Sequence, residues 1–180
     1  MKGLLAISAM VITTGFLSIP AVWSDSDFNW NKSSGVDAVT SPVYREECGS
    51  CHMSYPPGLL PEKSWALIMS GLEDHFGDNA ELDDETGQII KRFLVKNSAD
   101  KSGYRKSHKF NRSIKSVDTP LRISEIDYFK HEHDEIPQRL VSGNEKVKSF
   151  SHCNACHSGA EQGKFNEDDI NIPGYGQWDD

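Results

Sequence analysis

From Pro61 onward the apolar positions Trp65, Ile68, Met69, Leu72, His75 and Phe76 recur at i, i+3, i+4, i+7, i+10 and i+11, one stripe of a helix. Pro61 suits the first helical position and Gly77 ends the pattern, so His75 is predicted to point inward beside Trp65 and Ile68. Upstream, Pro42 opens a short helix carrying Tyr44, Cys48, Cys51 and His52, which Tyr55-Pro56-Pro57-Gly58 stops. Downstream, Asp83 and Asp84 can cap a third helix whose inner face would be Ile89, Ile90, Phe93 and Leu94.

In the second half, Ser124 followed three residues later by Asp127 resembles a capping box with Asp in the usual Glu or Gln position. The helix it would start places Ile126, Phe129, His133 and Ile136 on one side. Residues 145–159 read as a last helix with Val147, Phe150, Cys153 and His157 near one face. Residues 25–41 are a polar lead-in, and 162–180, with Gly, Pro, Asn and Asp throughout, are expected to be irregular. No sustained strand alternation appears. The expected fold is mainly α, short helices and long loops.

The first residues read as a secretory signal. Lys2 supplies the positive end, 4–19 the apolar stretch, Pro20 the break and Val22-Trp23-Ser24 a cleavage site after Ser24. Left uncleaved, the same stretch approaches the length of a membrane anchor. The division expected is a signal over 1–24, an N-terminal domain over 25–98, a basic linker over 99–118 and a C-terminal segment over 119–180. The formal charge of −8 argues against nucleic acid as a partner. Residues 96–115 run against that balance, with seven Lys or Arg and one acid, Asp100. This strip is either a solvated linker or a docking patch for an acidic partner or lipid headgroups.

All four cysteines lie in two motifs, Cys48-Gly49-Ser50-Cys51-His52 and Cys153-Asn154-Ala155-Cys156-His157. Thiols at i and i+3 share a helix face and can add to the two vinyl groups of one haem, while the next His reaches the iron. Two such motifs using every cysteine of an exported chain predict two covalently bound haem c groups. A zinc site would bring its two Cys pairs much closer in sequence. A thioredoxin-like dithiol would need alternating strands and helices, and plain disulfides would not explain a His after each motif.

His52 and His157 are then the proximal ligands. For the sixth positions, His75 is favoured by its apolar stripe, with Met69 as its competitor. His133 is favoured by its phase with Ile126 and Phe129, with His131 as its competitor. His152 adjoins Cys153, and His108 lies in the polar strip. The site expected is thus Cys48, Cys51, His52 and His75 for one haem and His133, Cys153, Cys156 and His157 for the other, with no catalytic residue. His75 follows His52 by 23 residues and His133 precedes His157 by 24, so local pairing closes only short loops, although crossed pairing stays open. Two imidazoles per iron leave no position for substrate and favour low-potential electron transfer.

Residues 47–80 resemble the bacterial family of small dihaem cytochromes c, through Cys48 to His52, Tyr55-Pro56-Pro57, Leu60-Pro61, Ser64-Trp65 and His75-Phe76-Gly77. The second half is similar through Thr119-Pro120-Leu121-Arg122-Ile123, Phe129, His133, the second motif and Ile172-Pro173. The resemblance implies an N-terminal part like class I cytochromes c and bis-His ligation with His75 and His133 at the matching positions. It also implies a periplasmic monomer that gives electrons to an oxygen-binding monohaem cytochrome c and receives them from a membrane b-type cytochrome or another quinol-linked donor. A small electron-transfer subunit of a reductase, such as a nitrate reductase, and a dihaem peroxidase remain the rival readings. The peroxidase would need an open haem with acid–base residues beside it.

Overall fold

The computed structural model describes residues 35–178, so the signal segment and most of the polar lead-in lie outside it. Helices α1 (Pro42–Glu47), α2 (Glu62–Ile68), α3 (Asp84–Lys96), α4 (Arg105–Ser113), α5 (Asp127–His131) and α6 (Cys153–Cys156) follow one another through loops and single 3-10 turns. The chain ends in a two-stranded antiparallel pair, β1 (Asn171–Ile172) and β2 (Gly176–Gln177), where the sequence pattern predicts irregular chain. The protein is mainly α, as expected. Among the described residues no helix is long and apolar enough to cross a membrane.

The first three helices start for identifiable reasons. Ser41 accepts a bond from the Tyr44 N–H and Pro42 occupies the first turn of α1. Asp83 accepts from the Thr86 N–H and starts α3, whose Ile90 and Leu94 are fully buried. Pro61 offers α2 no capping side chain, and Asp100, 38 residues away, accepts from the Glu62 N–H at 2.8 Å instead. The expected Ser124 cap does not form: 123–125 is a 3-10 turn, and α5 begins behind Ile126 without a side-chain cap.

Three helices are shorter than the apolar spacing predicts. Residues 61–77 are not one helix, because α2 stops at Ile68 and the chain turns through Ser70-Gly71. Only Leu72–Asp74 coils again, and Phe76 ends up exposed in a left-handed conformation. The helix expected past Phe129 stops at His131. In place of a helix over 145–159 there are turns and the single four-residue α6.

The main core gathers Val36, Val39, Tyr44, Leu59, Leu60, Trp65, Ile90 and Leu94 with Phe110, Ile126 and Phe129. Both regions expected to be loose contribute to it. Val36 and Val39 come from the lead-in, and Phe110 comes from α4, a helix inside the stretch expected to be a linker. A small second cluster, Val141, Val147 and Ile172, serves the C-terminal segment.

The lead-in is fastened to that segment at Gly163. The Val36 N–H donates to the Gly163 carbonyl at 2.9 Å. Gly163 has φ +73°, and a Cβ there would stand 2.2 Å from the Val36 oxygen. A backbone oxygen cannot rotate aside as a side chain can. Gly163→Ala is therefore expected to lower stability by about 3 kcal/mol, from the left-handed conformation and the overlap together. The shift of the denaturant midpoint measures it, and an unchanged midpoint would mean that this contact is not kept in solution.

Candidate functional site

The first Cys pair is carried by α1 and the 3-10 turn Cys48–Ser50 that continues it, so Cys48 is half-buried and Cys51 and His52 follow at the turn's end. The His52 Nδ1–H donates to the Met53 carbonyl at 2.7 Å. A carbonyl can only accept, so the proton is fixed on Nδ1 and the lone pair lies on Nε2. His75 is held by a tight turn whose backbone pairs it with Asp78, while Asp74 accepts from the Gly77 N–H. Its ring centre lies 6.2 Å from that of His52, with 26° between the planes.

The second Cys pair is α6 itself. His157 follows it and meets His133, again with ring centres 6.2 Å apart but with the planes at 76°. The His133 Nδ1–H donates to the Phe129 carbonyl at 2.8 Å, and its ring stacks on Phe129 at 4.0 Å. As at His52, the lone pair is left on Nε2. Phe150, Val147, Phe165, Ile170 and Trp178 join these groups and both cysteines in lining a cavity of about 310 Å³. A shallower hollow of about 410 Å³, lined by Ile68 and Leu121 among others, adjoins His75.

Burial, then the neighbouring His52 and Arg122, hold the His75 imidazole below its ordinary range. Burial, then His133 and Lys106, lower His157 to about 4. Neutral imidazole is the form that offers a lone pair to a metal. Burial, helped by Glu47 and Cys51, pushes the Cys48 thiol up to about 11, and burial pushes Cys153 to about 11. Redox-active and nucleophilic cysteines need the opposite shift. Among the described residues no group of three or more His, Cys, Asp or Glu could hold a bare metal ion.

The spacing fits haem. Two imidazoles binding one iron from opposite sides, with metal–nitrogen bonds of about 2.0 Å and ring centres about 1.1 Å further out, stand about 6.2 Å apart. Both pairs are within 0.1 Å of this by their separation of 6.2 Å. The apolar lining of the second cavity suits a porphyrin face.

The competing side chains are held differently, although His131 and His152 also line the second cavity. His131 is exposed, 3.8 Å from Asp134, and His108 is exposed on α4. His152 donates from Nδ1 to the Val147 carbonyl, and Met69 packs against the main core. Sequence reasoning missed Tyr55, whose ring stacks on His52 at 4.9 Å, and the contribution of Phe165, Ile170 and Trp178 from the tail. Large apolar residues in an otherwise polar tail were the available signal, since such residues seek burial.

Residues 44–165 match the family model described as dihaem cytochrome c. A solved dihaem cytochrome type c from Shewanella baltica OS155 is 45% identical, with 77% of this chain and 97% of that chain covered and a TM-score of 0.65. Dihaem cytochrome c from Rhodobacter sphaeroides is 46% identical, with 72% and 100% covered and a TM-score of 0.65. A further structure, of DHC purified from Rhodobacter sphaeroides, is 44% identical, with 71% and 99% covered and a TM-score of 0.57. No curated protein matches the chain.

Proposed function

We propose, from the premise that this chain belongs to the dihaem cytochrome c family, that two pairs of imidazoles, His52 with His75 and His133 with His157, cap its two haem irons. The protein transfers electrons and is not an enzyme. Haem iron, when bound, supplies a one-electron couple. Cys48 with Cys51, and Cys153 with Cys156, would tether the porphyrins through thioethers. The backbone carbonyls of Met53 and Phe129 orient His52 and His133 and keep their Nε2 lone pairs available. Phe129, Phe150 and Phe165 line the second site with apolar rings, and such a surrounding would disfavour the extra charge of the oxidised form. His52, His75, His133 and His157 would offer both irons imidazole alone, which would keep both potentials low, since thioether is what raises them. The observation that carries the ligand reading is the separation of 6.2 Å found twice.

The chain is proposed to reach the periplasm after cleavage of its signal at Ser24, with an N-terminal part like class I cytochromes c over 25–98 and a C-terminal haem segment over 119–180. It would act there as a monomer, taking electrons from a membrane b-type cytochrome or another quinol-linked donor and passing them to an oxygen-binding monohaem cytochrome c. Arg105, His108 and Arg112 form an exposed basic stripe along α4, and Lys106 and Phe110 of the same helix line the second cavity. An acidic partner surface complements such a stripe.

Electron paramagnetic resonance of the oxidised protein tests the ligands. Near-parallel imidazole planes split the iron dπ levels and give a rhombic low-spin signal, whereas near-perpendicular planes leave them almost degenerate and give a strongly anisotropic one. With planes at 26° and 76°, one signal of each kind is expected. The reduced protein should not bind carbon monoxide at neutral pH. A high-spin signal, or carbon monoxide binding by either haem, would overturn the ligand reading.

A further inference from the structure

Tyr55 touches both haem sites, which lie on segments about a hundred residues apart. Its ring stacks on His52 with centres 4.9 Å apart and planes at 29°. Its hydroxyl donates to the Ser151 carbonyl at 2.8 Å, across 96 residues of sequence. The same carbonyl lies 3.8 Å from the Cys153 Sγ. Tyr55 is itself anchored, because its own carbonyl accepts the Tyr44 hydroxyl at 3.0 Å and Tyr44 is buried in the main core.

We propose that Tyr55 is the bridge between the two haem sites, its ring on His52 and its hydroxyl on the carbonyl beside Cys153, and that it governs electron exchange between them. The inference rests on the reading that His52 and Cys153 hold the two haems. Stacked rings and a hydrogen bond transmit electronic coupling far better than the same distance through open space. The route from the His52 ring through the phenol to the Ser151 carbonyl and the Cys153 sulfur has no long gap. With haem held at both sites, the transfer would be of a single electron, given up by the reduced site and taken up by the oxidised one. No bond forms or breaks, and the phenol keeps its proton. Tyr55 is thus a positioning residue, acting through His52 and the chain at Cys153 rather than on the irons directly.

The holoprotein with Tyr55→Phe keeps the stack and loses the hydroxyl link, and Tyr55→Leu loses both. In half-reduced samples, intramolecular exchange averages the paramagnetically shifted haem-methyl proton resonances. The expected result is averaged resonances in the wild type, slower exchange in the Phe variant and loss of averaging in the Leu variant. Haem content and the low-spin signal of each haem should stay unchanged in the Phe variant. A purely structural role would lower the stability of that variant without altering exchange. Exchange as fast in the Phe variant as in the wild type, with both haems present, overturns the proposal whether or not the Leu variant folds. Wild-type protein with fewer than two haems would instead overturn the reading beneath it.

Discussion

The double substitution Cys153→Ser, Cys156→Ser is expected to halve the haem content and to leave the C-terminal segment without a stable fold. Beyond Phe129, that segment has few other ties than the hydrogen bonds at Gly163 and Ser151. Its own buried cluster is Val141, Val147 and Ile172, and from Cys153 onward its regular structure is one four-residue helix and two two-residue strands, besides single turns. The cavity lined by His133, His157 and the surrounding aromatic rings measures about 310 Å³. At roughly 24 cal/mol per Å³, carrying such a cavity without the group that fills it costs at most about 7 kcal/mol. That is comparable with the whole stability of an ordinary domain, about 5–15 kcal/mol. The matching change, Cys48→Ser with Cys51→Ser, should do less damage, because Trp65, Ile90 and Leu94 pack in the main core. Haem per mole of protein and limited proteolysis measure both effects. Persistent protection of residues 134–178 in a one-haem protein would show that the polypeptide holds this segment without the porphyrin.

The same dependence explains which parts of the fold were legible in the sequence. Helix α3 was readable to its capping residue, because Ile90 and Leu94 are buried against polypeptide and so obey the helical period. The stripe from Trp65 to Phe76 kept that period too, yet only the part to Ile68 is helix. Beyond Gly71 the chain leaves the helix, and Phe76 flanks His75 on a turn beside a hollow, where a helical period carries no structural meaning. Residues 145–159 misled in the same way: Val147, Phe150, Cys153 and His157 converge on one cavity from turns as readily as from a helix face. The basic strip concealed α4 because just two of its residues, Ser107 and Phe110, are buried. The Cys-x-x-Cys-His motifs suffered none of this, since their meaning is chemical and local. His75 and His133 were singled out by phase, although neither sits on a helix.

His133→Met is expected to raise the midpoint potential of one haem on the order of 0.1 V or more, a fraction of the ~0.8 V that axial ligands span. Thioether is a weaker donor than imidazole to ferric iron and stabilises the ferrous state, so the sign is upward. Two features of this site add to the effect. His133 donates from Nδ1 to the Phe129 carbonyl, which makes the imidazole a stronger donor, and methionine has no N–H to replace that bond. The ring also lies flat on Phe129 at 4.0 Å and 12°, a contact that a flexible thioether keeps only in part. The other couple should not move. His131→Met provides the control: its side chain is 79% exposed and 3.8 Å from Asp134, so both potentials should stay at their wild-type values. Spectropotentiometric titration of the three proteins measures this directly. A shift with His131→Met and none with His133→Met would move the sixth ligand two residues upstream, onto the last residue of α5.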